Sequence, residues 1–469
     1  MPDINSASFF SRSLYRHTPG GSTDPTPKYY VDASRPDDTG NGLTAATAWK
    51  TLAKVNAMIA ARSIVAGDVI AFRRGQVWEE TYHKNGTAYC NNVFVDISGT
   101  AANPITFCAY GEGAKPQLLG SYDLSSTGDW TQHDGNIWRS ANTLDHCGVD
   151  TTRNDIGNIV VKIDGVEQST GRKLLGASNH DALTSQGMFW YDVPNKYLYI
   201  YSDGNPADYY DDPFGIKAVK RSRSFYILSG SNYITIRDLD MRYHGECMVH
   251  MVSGDGNIDG TTIYNNTMRW CGGCEYIGLN ARAGNAIENW CNNSNTTVSY
   301  NYIYQVYDAA LTVQGQDVGD TVSNVYWHHN TVEAAYYSIE WFSDGAATHT
   351  GTRIEDNVMI NGGDSFSIVG SGPRDDGGTK PQGFRWIDNP DAAPGTDCSF
   401  QRNIINFGSG SDGYVLRVHS ATNVAGWTWD YNHYYPDNGA NYWSTGAGRS
   451  FAAWKTFSGK DANSEIEDV

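Results

Sequence analysis

The sequence predicts an all-β solenoid, and three observations lead there. First, a short pattern keeps returning in the second half of the chain: a β-branched or aromatic residue, two polar residues, an Asn, then an apolar residue two further on. It reads Ile263-Tyr264-Asn265-Asn266-Thr267-Met268, then Val298-Ser299-Tyr300-Asn301-Tyr302-Ile303. It continues as Trp327-His328-His329-Asn330-Thr331-Val332 and Ile354-Glu355-Asp356-Asn357-Val358-Met359, with weaker copies at Asn403 and Asn432. Steps of 35, 29, 27, 46 and 29 residues separate the marker asparagines 266, 301, 330, 357, 403 and 432. A self-similar period in this range marks a stack of coils. Second, the runs between the markers are short and strand-like, without helical periodicity. Third, 50 Gly, 30 Tyr and 14 Trp with only 18% charged residues suit strands and tight turns rather than long surface helices.

The elements follow in chain order. Residues 1–27 are polar and rich in Ser, Thr, Pro and Gly, and read as a flexible leader without the apolar stretch of a signal peptide. Residues 28–154 read as an N-terminal cap and first coils. Tyr29-Tyr30-Val31-Asp32 is strand-like, 37–42 a turn, and 47–62 a helix with Trp49, Leu52, Val55 and Ile59 on one face. A helix over the open end of a solenoid covers its exposed edge. Strands follow at 67–72 and 104–107. Residues 155–215 break the pattern and read as a small inserted β-module, with a hairpin over 187–201. Residues 216–450 carry the main coils, resuming at Tyr233-Ile234-Thr235-Ile236. Excursions at 272–284 and 370–398 account for the long steps and are candidate functional loops. Residues 451–469 form a C-terminal segment.

The formal net charge of −18 argues against a nucleic-acid partner, whose phosphates need a basic face. No run of about 18 apolar residues offers a membrane span. The eight cysteines include Cys271 and Cys274 at redox or zinc spacing, but no second ligand pair accompanies them, and buried small residues between coils are expected. Asp37-Asp38 and Asp375-Asp376 lack the ordered oxygen spacing of a calcium loop, so no cofactor is expected.

The opening Tyr30-Val31-Asp32…Asn41-Gly42…Ala48-Trp49-Lys50-Thr51-Leu52, the Gly67-Asp68-Val69-Ile70 strand and the Asn-marked coils resemble the right-handed parallel β-helix proteins of the pectin-lyase-like superfamily, over residues 28–469. The resemblance implies a right-handed parallel β-helix with inward-facing asparagines stacked at one turn. It also implies activity on polysaccharides, since the superfamily includes lyases, glycoside hydrolases, epimerases and phage tailspikes. A polar leader joined to such a fold resembles a virion-anchoring peptide. That implies an extracellular or virion-associated protein, and a homotrimer if it is a tailspike.

Stacking the coils gives a candidate site. In Asn285–Trp290, Ala309–Gln314 and Tyr337–Phe342, side chains alternate between faces. If Ile287, Leu311 and Ile339 face the core, Glu288, Thr312 and Glu340 form one outward column, with Trp290, Gln314 and Phe342 beside it. His250 extends the first column one coil earlier. Asp308, at the start of the middle strand, is a third carboxylate. Crowded carboxylates push one pKa up, which supplies a general acid while a partner stays ionised. Glu288, Glu340 and Asp308 are therefore the expected catalytic residues. Trp290, Thr312, Gln314, Phe342, His250, Arg282, Asp344 and Arg374 are the expected substrate contacts. The expected function is endo-acting glycoside hydrolysis of an extracellular polysaccharide. A lyase needs a basic residue where this column has acids, and a non-catalytic carbohydrate-binding spike is the third reading.

Overall fold

The structure is a computed structural model describing residues 25–83, 90–145, 154–175, 179–210, 215–254, 256–276, 281–290, 292–315, 319–343, 347–367, 382–388, 395–407, 414–418, 421, 423–435, 443–444 and 448–467. The chain is mostly β, in long parallel sheets of the kind a β-helix makes. One sheet has ten strands, all parallel, from Tyr29–Val31 through Thr262–Tyr264, Thr297–Ser299, Tyr326–His328 and Arg353–Glu355 to Trp427–Asp430. A set of nineteen strands includes the six used below: β1 (Arg223–Leu228), β2 (Cys247–Val252), β3 (Asn285–Trp290), β4 (Tyr302–Gly315), β5 (Thr331–Ser343) and β6 (Gln382–Asp388). Each coil visits the sheets in turn, as Ile258–Asp259, Thr262–Tyr264, Thr267–Cys271 and β3 show.

Stacking makes columns. Ile236, Ile263, Val298, Trp327, Ile354, Phe400 and Trp429 are partners strand to strand and lie buried in the core. The marker asparagines close the next turn. Asn301 Nδ2 donates to Asn330 Oδ1 (3.0 Å) and to Ile263 O (3.0 Å). Asn330 and Asn357 repeat the arrangement. Each Asn also accepts from the preceding rung's backbone N–H, as Asn357 Oδ1 does from Asn330 N at 3.0 Å. The residue before each rung turns the corner at positive φ: 50° at Asn265, 57° at Tyr300, 55° at His329 and 56° at Asp356. Asp461 ends the ladder, accepting from Asn432 Nδ2 (3.3 Å) and Trp454 Nε1 (2.7 Å) just after the C-terminal helix Phe451–Ser458.

Helix α1 covers Leu52–Ala60, shorter than the 47–62 that periodicity suggests. Thr51 caps it, and Trp49 lies before it, bridged in parallel to Val31. Trp49 is apolar at helical spacing, but its backbone pairs with Tyr30 and Asp32 instead of entering the helix. Asn56 pins α1 to the coils, donating to Asn92 O (2.7 Å) and accepting from Phe94 N (2.8 Å).

Between Ser121 and Lys220, two four-stranded antiparallel sheets interrupt the parallel order. The hairpin of Phe189–Asp192 and Tyr197–Tyr201 joins Ile137–Ser140 and Trp130–Asp134 in one of them. They share a core of Trp130, Ile159, Phe189 and Leu198. This unit meets the coils at Gly157, where a Cβ would come within 2.7 Å of Gly272 O, so only glycine fits. Cys271, Cys274, Cys247 and Cys398 are buried and not in disulfides, and Cys90 and Cys108 are buried; Cys147 and Cys291 lie outside the described residues. Among the described residues no helix is long and apolar enough to cross a membrane.

Candidate active site

The coil register sets out two outward columns. His250, Glu288, Thr312, Glu340 and Arg385 are successive partners across β2, β3, β4, β5 and β6. Trp290, Gln314 and Phe342 are partners in the column beside it. Ile287, Leu311, Ile339 and Phe384, one position before the first column, face the core. The columns point away from the core yet are covered: His250, Glu288, Thr312 and Glu340 in the first and Gln314 in the second are buried, while Trp290 and Phe342 are half-buried.

Glu288 is buried among neighbours of its own. The Cys247 thiol donates to its Oε2 at 3.1 Å, and His250 Nε2 lies 3.3 Å from the same oxygen. Burial pushes its carboxyl up to about 7, against the opposing pull of the Cys247 and Asn285 hydrogen bonds and the Arg223 charge. Burial, and secondarily the nearby Arg223, hold His250 well below the usual imidazole range. Both shifts disfavour a charged pair at this 3.3 Å contact, which is not a hydrogen bond. Arg223 is itself tied to Glu246 at 2.6 Å.

Glu340 has different surroundings. Thr312 Oγ1 donates to its Oε2 at 3.0 Å, Gln314 Nε2 approaches the same oxygen at 3.5 Å, and Arg385 Nη1 faces its Oε1 at 3.8 Å. Arg385 also lies over the Tyr337 ring at 4.3 Å. Hydroxyl, amide and guanidinium all stabilise a negative charge. Glu288 and Glu340 are two strands apart, about 10 Å at the backbone. The Glu288 carboxyl leans back towards β2, and that of Glu340 leans towards Thr312.

The remaining expected residues scatter. Asp308 is half-buried beside a break in register between Val306 and Ala309, four positions before Thr312. Arg282 is buried, with its guanidinium over Tyr307 at 5.2 Å. Asp344 and Arg374 lie outside the described residues. Two site residues escape the sequence reading. Strict alternation puts Cys247 on the core side with Val249, but at the first position of a strand the chain has not settled into its pleat. Arg385 lies one coil past Glu340, inside the 370–398 segment that the sequence reads as an excursion but that holds strand β6 of the sheet. Counting from Phe384 as a core position would have found it.

No family model and no curated protein matches the sequence. Solved structures similar in fold include a protein described as a glycoside hydrolase (10% identity, TM-score 0.48, 95% of this chain and 96% of that one). XylC in complex with xylose is similar at 14% identity and TM-score 0.46, over 93% of this chain and 85% of that one. Pectate lyase Pel9A is similar at 12% identity and TM-score 0.39, over 96% and 80%. The matches include parallel β-helix proteins that act on carbohydrates. At these identities and TM-scores the chemistry rests on this chain's own residues.

Proposed function

We propose that this protein is an endo-acting glycoside hydrolase of a bacterial or other extracellular polysaccharide. The observation that carries the reading is one column holding two carboxyls in opposite surroundings. Glu288 is sealed against Cys247 and His250; Glu340 faces Thr312, Gln314 and Arg385. Glu288 protonates the leaving glycosidic oxygen as the bond to the anomeric carbon breaks. Glu340 acts on the opposite side of the sugar, activating the attacking water and taking its proton. Two strands of separation, with Glu288 leaning away, favour the wider carboxyl spacing of inverting enzymes, about 6.5–9.5 Å. Trp290 and Phe342 offer faces for sugar rings.

The test is product analysis on a panel of neutral and uronate-containing polysaccharides. New reducing ends without an unsaturated uronate support hydrolysis, and inversion is read from the first-formed anomer by NMR. Ultraviolet absorbance from an unsaturated uronate would instead make the protein a lyase. That second reading keeps one observation in its favour: Arg385 and Arg417 continue the column with the cationic groups a lyase requires. If no polysaccharide is cut, the reading as a non-catalytic carbohydrate-binding spike gains.

In this reading α1 caps the coils, the antiparallel sheets of 121–220 are an insertion, and the protein works outside the cell or on a virion. A tailspike assignment requires a homotrimer, which molar mass by light scattering tests.

A further inference from the structure

We propose that Cys247, His250 and Glu288 form a zinc site, and that zinc bound there switches off the cleavage proposed above. The binding stands by itself; the switching rests on the catalytic reading of Glu288.

Cys247 Sγ, His250 Nε2 and a Glu288 carboxylate oxygen all lie within 4.8 Å of one another, and all three residues are buried. Tetrahedral zinc, with bonds of about 2.0 Å to N and O and about 2.3 Å to S, sets its N and O ligands about 3.3 Å apart and its S and O ligands about 3.5 Å apart. The structure has 3.3 Å between His250 Nε2 and Glu288 Oε2, and 3.1 Å between Cys247 Sγ and Glu288 Oε2. The first spacing fits as it stands. The second needs a few tenths of an ångström. The ligands come from neighbouring strands, β2 and β3, so folding the sheet assembles the set.

A second observation points to a ligand. Neither ring nitrogen of His250 has a hydrogen-bond partner, although the side chain is nine-tenths buried. Orphaned buried nitrogens are costly. A cation between Nε2 and the Glu288 oxygen gives that nitrogen its partner. The donor set selects the metal: one sulfur, one imidazole and one carboxylate suit zinc and not the all-oxygen preferences of calcium or magnesium. Charge also balances. The Cys247 thiolate and Glu288 carboxylate together neutralise a divalent ion, and nearby Arg223 is already held by Glu246.

Binding expels two protons, one from the Cys247 thiol and one from the Glu288 carboxyl, and changes no oxidation state. Glu288 then has no proton to give a leaving group.

The test uses the full chain, stripped with a chelator. Zinc is titrated against a chromogenic chelator, and cobalt(II) is followed by thiolate-to-cobalt charge-transfer absorption in the near ultraviolet. One equivalent should bind, and cobalt should show the thiolate band. Zinc should raise the melting temperature of the wild type. Cys247→Ser should lose the band, weaken binding at least tenfold and abolish the thermal shift. If Cys247→Ser does not fold, the cobalt band of the wild type decides alone. Absence of stoichiometric binding overturns the proposal. So does binding without a thiolate band, which would point instead to the half-buried His433 with the exposed Glu465 and Glu467. Switching predicts that zinc blocks depolymerisation over the range in which it binds, and that a chelator restores it. Thiolate-bound zinc with undiminished cleavage overturns the switching. A Glu288→Gln protein that cleaves like the wild type overturns the catalytic reading and leaves the zinc site of the wild type standing.

Discussion

The asparagine ladder and the carboxylate column come from the same stacking of coils, yet they are built on opposite principles. In the ladder one residue type repeats, and each rung satisfies the next. Asn330 gives its amide to Asn357 and Val298 O and receives those of the rung before. In the column no residue repeats its neighbour: His250, Glu288, Thr312, Glu340 and Arg385 stand in a row. Both ring nitrogens of His250 are buried without a hydrogen-bond partner. A repeated rung is what stability selects, because every coil poses the same hydrogen-bonding problem. A heterogeneous buried row adds little stability and concentrates unlike charges, which is the arrangement that catalysis uses.

The comparison breaks most readily at the carboxylates. Glu340→Gln and Glu288→Gln keep shape and most hydrogen bonds but lose the charge and the proton, respectively. Each should reduce depolymerisation about 10²–10⁴-fold, the range for a general acid or base, with little change in melting temperature. Retained activity in both, measured as reducing ends released, would move the site elsewhere on the molecule.

The ladder should answer the other way round. Asn357 Oδ1 accepts from Asn330 N and Nδ2, and Asn357 Nδ2 donates to Trp327 O and Asn403 Oδ1. Asn357→Ala leaves those groups buried and unpaired, at about 1–3 kcal/mol each. Unfolding in urea should show a loss of at least about 3 kcal/mol. Activity per folded molecule should stay near wild type at low temperature.

Thr312 stands between the two classes. Its hydroxyl reaches Glu340, and it also fills a strand position in the sheet. Thr312→Val keeps the shape and removes one hydrogen bond to a charged group, worth about 1.5–3 kcal/mol. Turnover should fall about tenfold or somewhat more, while the midpoint of thermal unfolding moves little. A large stability loss with unchanged turnover would make Thr312 a ladder-type residue.

How far the sequence reaches follows from the same contrast. The ladder is a one-dimensional signal, because asparagines at successive turns fall at a readable spacing, and the inward and outward positions follow by alternation. That was enough to align Glu288, Thr312 and Glu340. Alternation says which face a side chain takes, not what covers that face. The burial of the column, and with it the shift of Glu288, comes from neighbours far away in sequence. It also fails at the start of a strand, as at Cys247, and where a strand lies inside a segment read as a loop, as at Arg385. At Trp49 periodicity misleads for another reason. An apolar residue at helical spacing looks the same whether its backbone joins the helix or, as here, pairs with Tyr30 and Asp32.

The finest test of the ladder uses the residue beside it. Asp356 and Asn357 are adjacent in the chain, but Asp356 points outward at the corner with φ of 56° and pairs with Arg402 at 2.9 Å. Asn tolerates that left-handed conformation well, and a surface ion pair contributes about 0–1 kcal/mol. Asp356→Asn should therefore change the unfolding free energy by less than about 1 kcal/mol, several-fold below the effect of changing Asn357. Equal losses at the two positions would mean that the coil is held by its corner geometry as a whole, and that the stacked amides carry no special share of the stability.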